Sequence, residues 1–204
     1  MAKNIFKASQ EQAIAAGIVP HTDESSKWFR EKVSNIRKPD QDKLIRESDN
    51  KHEALPKRPK DILGHLWTYK YEPKAAKTLK YYDKYPLSMI VKVEAKSFDA
   101  LNFHYLPTNL RFVLFKALTE YKIDATSSES SRIRITYDIL KMTRRLQAFR
   151  PCYKKYLYTH VESKYVKIDP DEWDLALALP TYKFVNGKKE EVWTDSRRQI
   201  NGTK

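Results

Sequence analysis

The stretch RPCYKKYLYTHVESKYVKI, residues 150–168, decides the fold because it can be written with either of two periods. On a helix over 152–164, Tyr153, Tyr156, Leu157, His160 and Val161 share one face while Lys154 and Lys155 point away. On a strand, Tyr156, Tyr158 and His160 separate from Tyr153, Leu157 and Val161. The helical reading is preferred. It makes the tyrosines packing residues and Cys152 a buried filler, and it turns the lysines toward a basic outer face.

Working outward, Pro151 ends a preceding amphipathic helix in which Ile135, Ile139, Met142, Leu146 and Phe149 form one stripe, with Lys141, Arg144 and Arg145 mostly off it. Before the polar loop DATSSESS, Thr108 caps a helix with Leu110, Val113, Leu114, Ala117, Leu118 and Tyr121 at helical spacing. Upstream of that, HLWTYKY, PLSMIVKVEA and FDALNFHYLP read as three strands or extended runs. Downstream, YVKI reads as a short strand and DPDEWDLALAL as a helix begun by Asp169 and Pro170. YKFVNGKKEEVW reads as a hairpin around Asn186 and Gly187.

The N-terminal third differs. Residues 8–16 and 25–36 have helical spacing, the second presenting Trp28, Phe29 and Val33 for docking on a partner or on the main body. Residues 37–60 are polar, carry Pro39, Pro56 and Pro59, and read as a linker. The expected organisation is an N-terminal helical and extended arm over 1–60 and a single α+β domain over 61–204. In that domain three to five amphipathic helices pack on a small, mostly antiparallel sheet.

The 204 residues carry a net charge of +13. Residues 57–96 hold ten Lys or Arg against four Asp or Glu, and residues 141–168 hold eight against one. The remainder is neutral, so two blocks supply the whole excess and favour an anionic partner. The candidate binding cations are Arg144, Arg145, Arg150, Lys154 and Lys155, together with Lys74, Lys77 and Lys80. Only four glycines are present, too few for a P-loop or a dinucleotide fingerprint. No apolar run is long enough to span a bilayer, and the first residues lack the apolar core of a secretory signal, so cytoplasmic synthesis is expected.

No catalytic constellation emerges. Cys152 and His160 lie two helical turns apart, beyond direct proton transfer. The five histidines lack the spacing of metal ligands, and the acidic pairs 171–172 and 190–191 fit a helix start and a hairpin strand. The reading is therefore non-enzymatic, with no metal and no cofactor. An enzyme using Asp83, Asp99 and Asp195 is the least favoured alternative.

Taken together, YYDKYPL, LNFHYLP, ITYDILK, FRPCYKKYLYTHV, EWDLALALP and VWTDSRR occur in an order that resembles a family of small structural proteins of T4-like tailed phages. The resemblance covers about residues 66–198. It implies a virion or assembly protein of the tail, baseplate or neck, made in the host cytoplasm. Such a protein would bind other virion proteins and be oligomeric within its assembly. A protein that binds nucleic acid at genome ends or during packaging is the alternative.

Overall fold

The computed structural model describes residues 5–19, 21–34, 39–123 and 150–202. Among these, the helices are α1 (Ile5–Ala15), α2 (Asp23–Ser34), α3 (Gln41–Glu47), α4 (Thr108–Ile123), α5 (Trp173–Ala178) and α6 (Lys189–Asn201). The strands are β1 (Lys51–His52), β2 (Leu66–Thr68), β3 (Tyr82–Asp83), β4 (Leu87–Val93), β5 (Ser97–Asn102), β6 (Tyr153–Leu157), β7 (Tyr165–Ile168) and β8 (Phe184–Val185). Six strands form one antiparallel sheet in the order β1-β7-β2-β4-β5-β6, and β3 pairs with β8 in a separate two-stranded ribbon. The α+β expectation holds.

Period-2 alternation divides the sheet into two faces. Leu66, Met89, Leu101, Val166 and Ile168 point into a core shared with the helices. Trp67, Tyr69, Ile90, Phe98, Ala100, Tyr156 and Tyr165 form a second, largely aromatic core. The start of β4 is buried on both faces, which suits its run of Leu, Met, Ile and Val.

The decisive stretch is extended where a helix was expected. Tyr153–Leu157 is the edge strand β6, followed by a 3-10 turn over Tyr158–His160. The reason lies across the sheet. β5 is fully buried and needs hydrogen-bond partners along its outer edge, which β6 supplies with Phe98 opposite Tyr156 and Leu101 opposite Tyr153. The Phe98 and Tyr156 rings stack at 5.3 Å. Local periodicity could not register a demand made by a strand more than fifty residues away.

Two further expectations are corrected. The Asn186–Gly187 turn does not open a hairpin: β8 pairs back to β3, and the residues after the turn form α6, with Glu190 and Glu191 in its first turn and left-handed Gly202 as its C-cap. Gly187 suits the close approach there, since an added Cβ would lie 3.0 Å from the Cβ of Tyr81. Of the two docking places expected for the N-terminal helices, the main body is the one observed. α1 and α2 pack against α5, and Ala13, Phe29, Val33 and Ile45 belong to the helical core. Phe29 and Val33 are therefore packing residues, while half-buried Trp28 meets Phe29 edge-on at 4.9 Å. Buried Asp174 on α5 fastens α2 by accepting from Ser25 Oγ (2.5 Å) and the His21 amide (2.7 Å). Burial raises its pKa, but the hydrogen bonds from His21 and Ser25 outweigh this and hold it below the usual range. In α4, Phe112 and Phe115 turn inward while Val113 remains 65% exposed, so the buried stripe is rotated from the expected one.

Candidate nucleic-acid interface

Of the basic residues expected to act together, Lys80, Lys154 and Lys155 are engaged within the fold. Lys154 and Lys155 are adjacent on a strand and so point to opposite sides. The Lys154 ammonium lies 4.0 Å from the Tyr105 ring centroid, and burial lowers its pKa. Lys155 binds Glu94 at 2.8 Å. Lys80 is held by Asp195 (2.6 Å) and Glu191 (3.1 Å). Arg150 is exposed, as are Lys74 and Lys77 on the turns before β3. Arg144 and Arg145, with the helix expected around them, lie outside the described residues.

Lys74 and Lys77 lie on a segment that meets other lysine-bearing elements around the β3–β8 ribbon and α6. The Lys84 amide donates to the Lys183 carbonyl (2.8 Å), and Asn186 Nδ2 donates to the Ala76 carbonyl (2.9 Å). These bonds bring the turns of residues 73–80 against the turn that precedes α6. Lys74, Lys77, Lys84, Lys183, Lys188 and Arg197 all lie on these elements, and none forms an ion pair among the described residues. On α6, Lys189, Trp193 and Arg197 recur every four residues and so form one row along the helix. This row was hidden by the hairpin reading, and helical spacing after Lys188 is the signal that would have found it.

Aromatic rings lie between these cations. Half-buried Tyr182 and Phe184 stack at 6.0 Å, and Trp193 meets Tyr182 edge-on at 5.5 Å. The Lys189 ammonium lies 5.9 Å from the Tyr182 centroid and 5.6 Å from that of Trp193. Beneath them is the fully buried Arg111 guanidinium, 5.4 Å from the Tyr182 ring and 5.8 Å from Trp193. Its Nε and Nη1 donate to the carbonyls of Leu106 (2.8 Å) and Leu177 (3.2 Å), while Nη2 has no hydrogen-bond partner. No carboxylate pairs with it among the described residues. Burial lowers its pKa to about 10, so it stays charged at neutral pH.

A buried hydrogen-bond chain supports this surface. Asp83 Oδ2 accepts from His104 Nδ1 (2.7 Å) and Asn102 Nδ2 (3.2 Å), and Oδ1 accepts from the amides of Lys183 (3.1 Å) and Tyr85 (3.2 Å). On its other side, His104 Nε2 lies 3.0 Å from Thr181 Oγ1. Burial opposes ionisation of Asp83, but the His104 charge and the donated hydrogen bonds prevail and its pKa is lowered. The Trp193 indole N–H is anchored on the His104 carbonyl at 2.9 Å. Asp83 therefore joins β5, β3 and the segment entering β8. The other two acids do not converge on it: Asp99 accepts from Tyr153, and Asp195 binds Lys80 and Tyr81. Among the described residues no group of three or more His, Cys, Asp or Glu is placed to hold a metal.

Elsewhere, a cavity of about 410 Å³ is lined by Leu44, Ile45 and Val166 and by Asp49, Asp169 and Glu172. Its charge is wrong for a nucleic acid, and burial together with Asp169 and Asp171 raises the Glu172 pKa to about 7. No described helix is long and apolar enough to cross a membrane.

A family model described as Phage T4 terminal DNA protecting protein matches residues 2–196. No curated protein and no solved structure matches the chain.

Proposed function

Because the chain belongs to the phage T4 terminal DNA protecting protein family, we propose that it binds the ends of linear duplex DNA and shields them sterically, without catalysing a reaction. The family favours the genome-end alternative over a role in the tail, baseplate or neck. The observation that carries the reading is the set of unpaired cations on the turns before β3, the ribbon and α6. Lysine and arginine that are not occupied by carboxylates remain available to phosphates. The protein would act on the phage genome and accompany it in the virion.

Recognition of this kind is independent of sequence and strongly dependent on salt. If five of the six unpaired cations engage phosphates, log affinity falls with log salt at a slope of about −4.5. Anisotropy titrations of a short labelled duplex at several salt concentrations measure this slope. Replacing Lys74, Lys77, Lys183 and Lys188 by Gln removes three or four of those contacts and should reduce the slope by about 2.7 to 3.6. Absence of binding at low salt, or an unchanged slope in the fourfold variant, refutes the assignment.

A further inference from the structure

We propose that Tyr182, Phe184, Trp193 and Lys189, backed by Arg111, form a site for the terminal nucleotide of a DNA end. The inference rests on the DNA-binding reading above and adds to it the means by which an end is distinguished from duplex interior. Phosphates run the whole length of a duplex, so unpaired lysines alone cannot favour a terminus. What a terminus alone presents is the open face of its last base.

The aromatic group has the chemistry to meet that face. Tyr182, Phe184 and Trp193 are only half-buried, although their rings pack at 5.5–6.0 Å. Side chains of this kind bind bases without regard to identity, because every base has a π-face. Lys189 lies over Tyr182 and Trp193 with its side chain 43% exposed and an exposed ion pair to Glu190 at 3.7 Å, a carboxylate it can exchange for a phosphate when a base arrives.

The charge behind the rings restricts the ligand further. Arg111 is wholly buried, and among the described residues it has neither a carboxylate partner nor a hydrogen-bond partner for Nη2. A desolvated cation without a counter-ion is costly, and two ring faces compensate for it only in part. A neutral apolar ligand would leave that charge unbalanced, and a cationic one would be repelled. An acidic side chain would balance it without using the rings. A nucleotide supplies both a flat π-system and a negative charge.

The test compares a blunt linear duplex with a relaxed covalently closed circle of duplex DNA as competitors for the full-length protein, with 2-aminopurine placed at the terminal or at a central position of the linear duplex. Stacking of one base predicts that the linear form competes about tenfold better per site than the circle. It also predicts quenching of the terminal but not the central probe. Tyr182→Leu should bring the linear duplex down to the level of the circle, and Trp193→Phe, which keeps a ring, should retain most of the preference. Lys189→Gln alters an exposed side chain, so its folding is not in question, and it should weaken linear binding more than circular binding. Equal competition by line and circle with no terminal quenching overturns this inference and leaves DNA binding intact. Failure of either DNA to bind overturns the functional reading as well.

Discussion

Replacing Asp83 by Ala should be among the most damaging single changes in the chain. The carboxylate accepts four hydrogen bonds, from His104, Asn102 and the amides of Lys183 and Tyr85. The bond from His104 is charge-assisted and contributes about 2 kcal/mol, and each of the others about 1 kcal/mol. Their sum, about 5 kcal/mol, agrees with the cost of removing one partner from a buried polar pair. It is comparable to the entire stability of many domains. Asp83→Asn should cost less, about 2 kcal/mol, because the amide oxygen can still accept from Lys183 and Tyr85 and a neutral His104 can still donate from Nε2 to Thr181. Urea melts followed by tryptophan fluorescence measure both variants, since Trp193 is anchored on the same histidine. The pH dependence has a defined sign. The Asp83 pKa in the folded chain lies below its ordinary value of 3.8, so its contribution is present above pH 3.8 and is lost as pH falls through the folded value. The gap between wild type and Asp83→Asn should therefore be constant near neutrality and close only in acid. A cost below about 1 kcal/mol for Asp83→Ala would refute the view that this carboxylate joins the ribbon to the sheet.

Other positions give independent checks. Phe29→Ala should cost about 3–5 kcal/mol if α2 is part of the core; a change within 0.5 kcal/mol, as at a surface site, would mean that α2 does not dock. Glu172→Gln should leave stability unchanged below pH 4.5 and raise it by about 1–2 kcal/mol above pH 7, a figure reduced for solvent screening. The sign follows because the folded state holds a proton that the unfolded chain loses between about 4.5 and 7, so wild-type stability falls across that window. Parallel stability curves for the two proteins would contradict it. Burial raises the Cys152 thiol to about 12 and leaves it inaccessible, so thiol reagents should modify it only at the rate of opening or unfolding. Fast stoichiometric labelling of the native protein would show the pairing of β5 with β6 to be wrong.

The fold was legible in sequence where one element satisfies its own requirements. The helix expected at Thr108 begins at that residue, and the Val- and Ile-bearing run after Pro86 is a buried strand. The α+β class followed from such segments. The site was much less legible. Lys154, Lys155 and Lys80 are conspicuous in sequence, yet the fold spends them on Tyr105, Glu94 and the acids of α6. Lys183, Lys188, Lys189 and Arg197 lie outside the two basic blocks, and the pairing of β8 with β3 is what brings their segments near the turns of residues 73–80.

Sequence alone determined the excess of positive charge, the small glycine content, the apolar periodicities and the ordered aromatic blocks, because these are properties of residues and of near neighbours. Tertiary structure decided that residues 153–157 extend, that the chain after Gly187 coils, and that Arg111 is buried behind Tyr182 and Trp193 with no counter-ion among the described residues. Each of those outcomes depends on a partner distant along the chain: an unpaired edge of β5, a strand one hundred residues upstream, or two rings some seventy to eighty residues downstream. Hydrogen-bond demand and burial act across space, and no local pattern in RPCYKKYLYTHVESKYVKI records them.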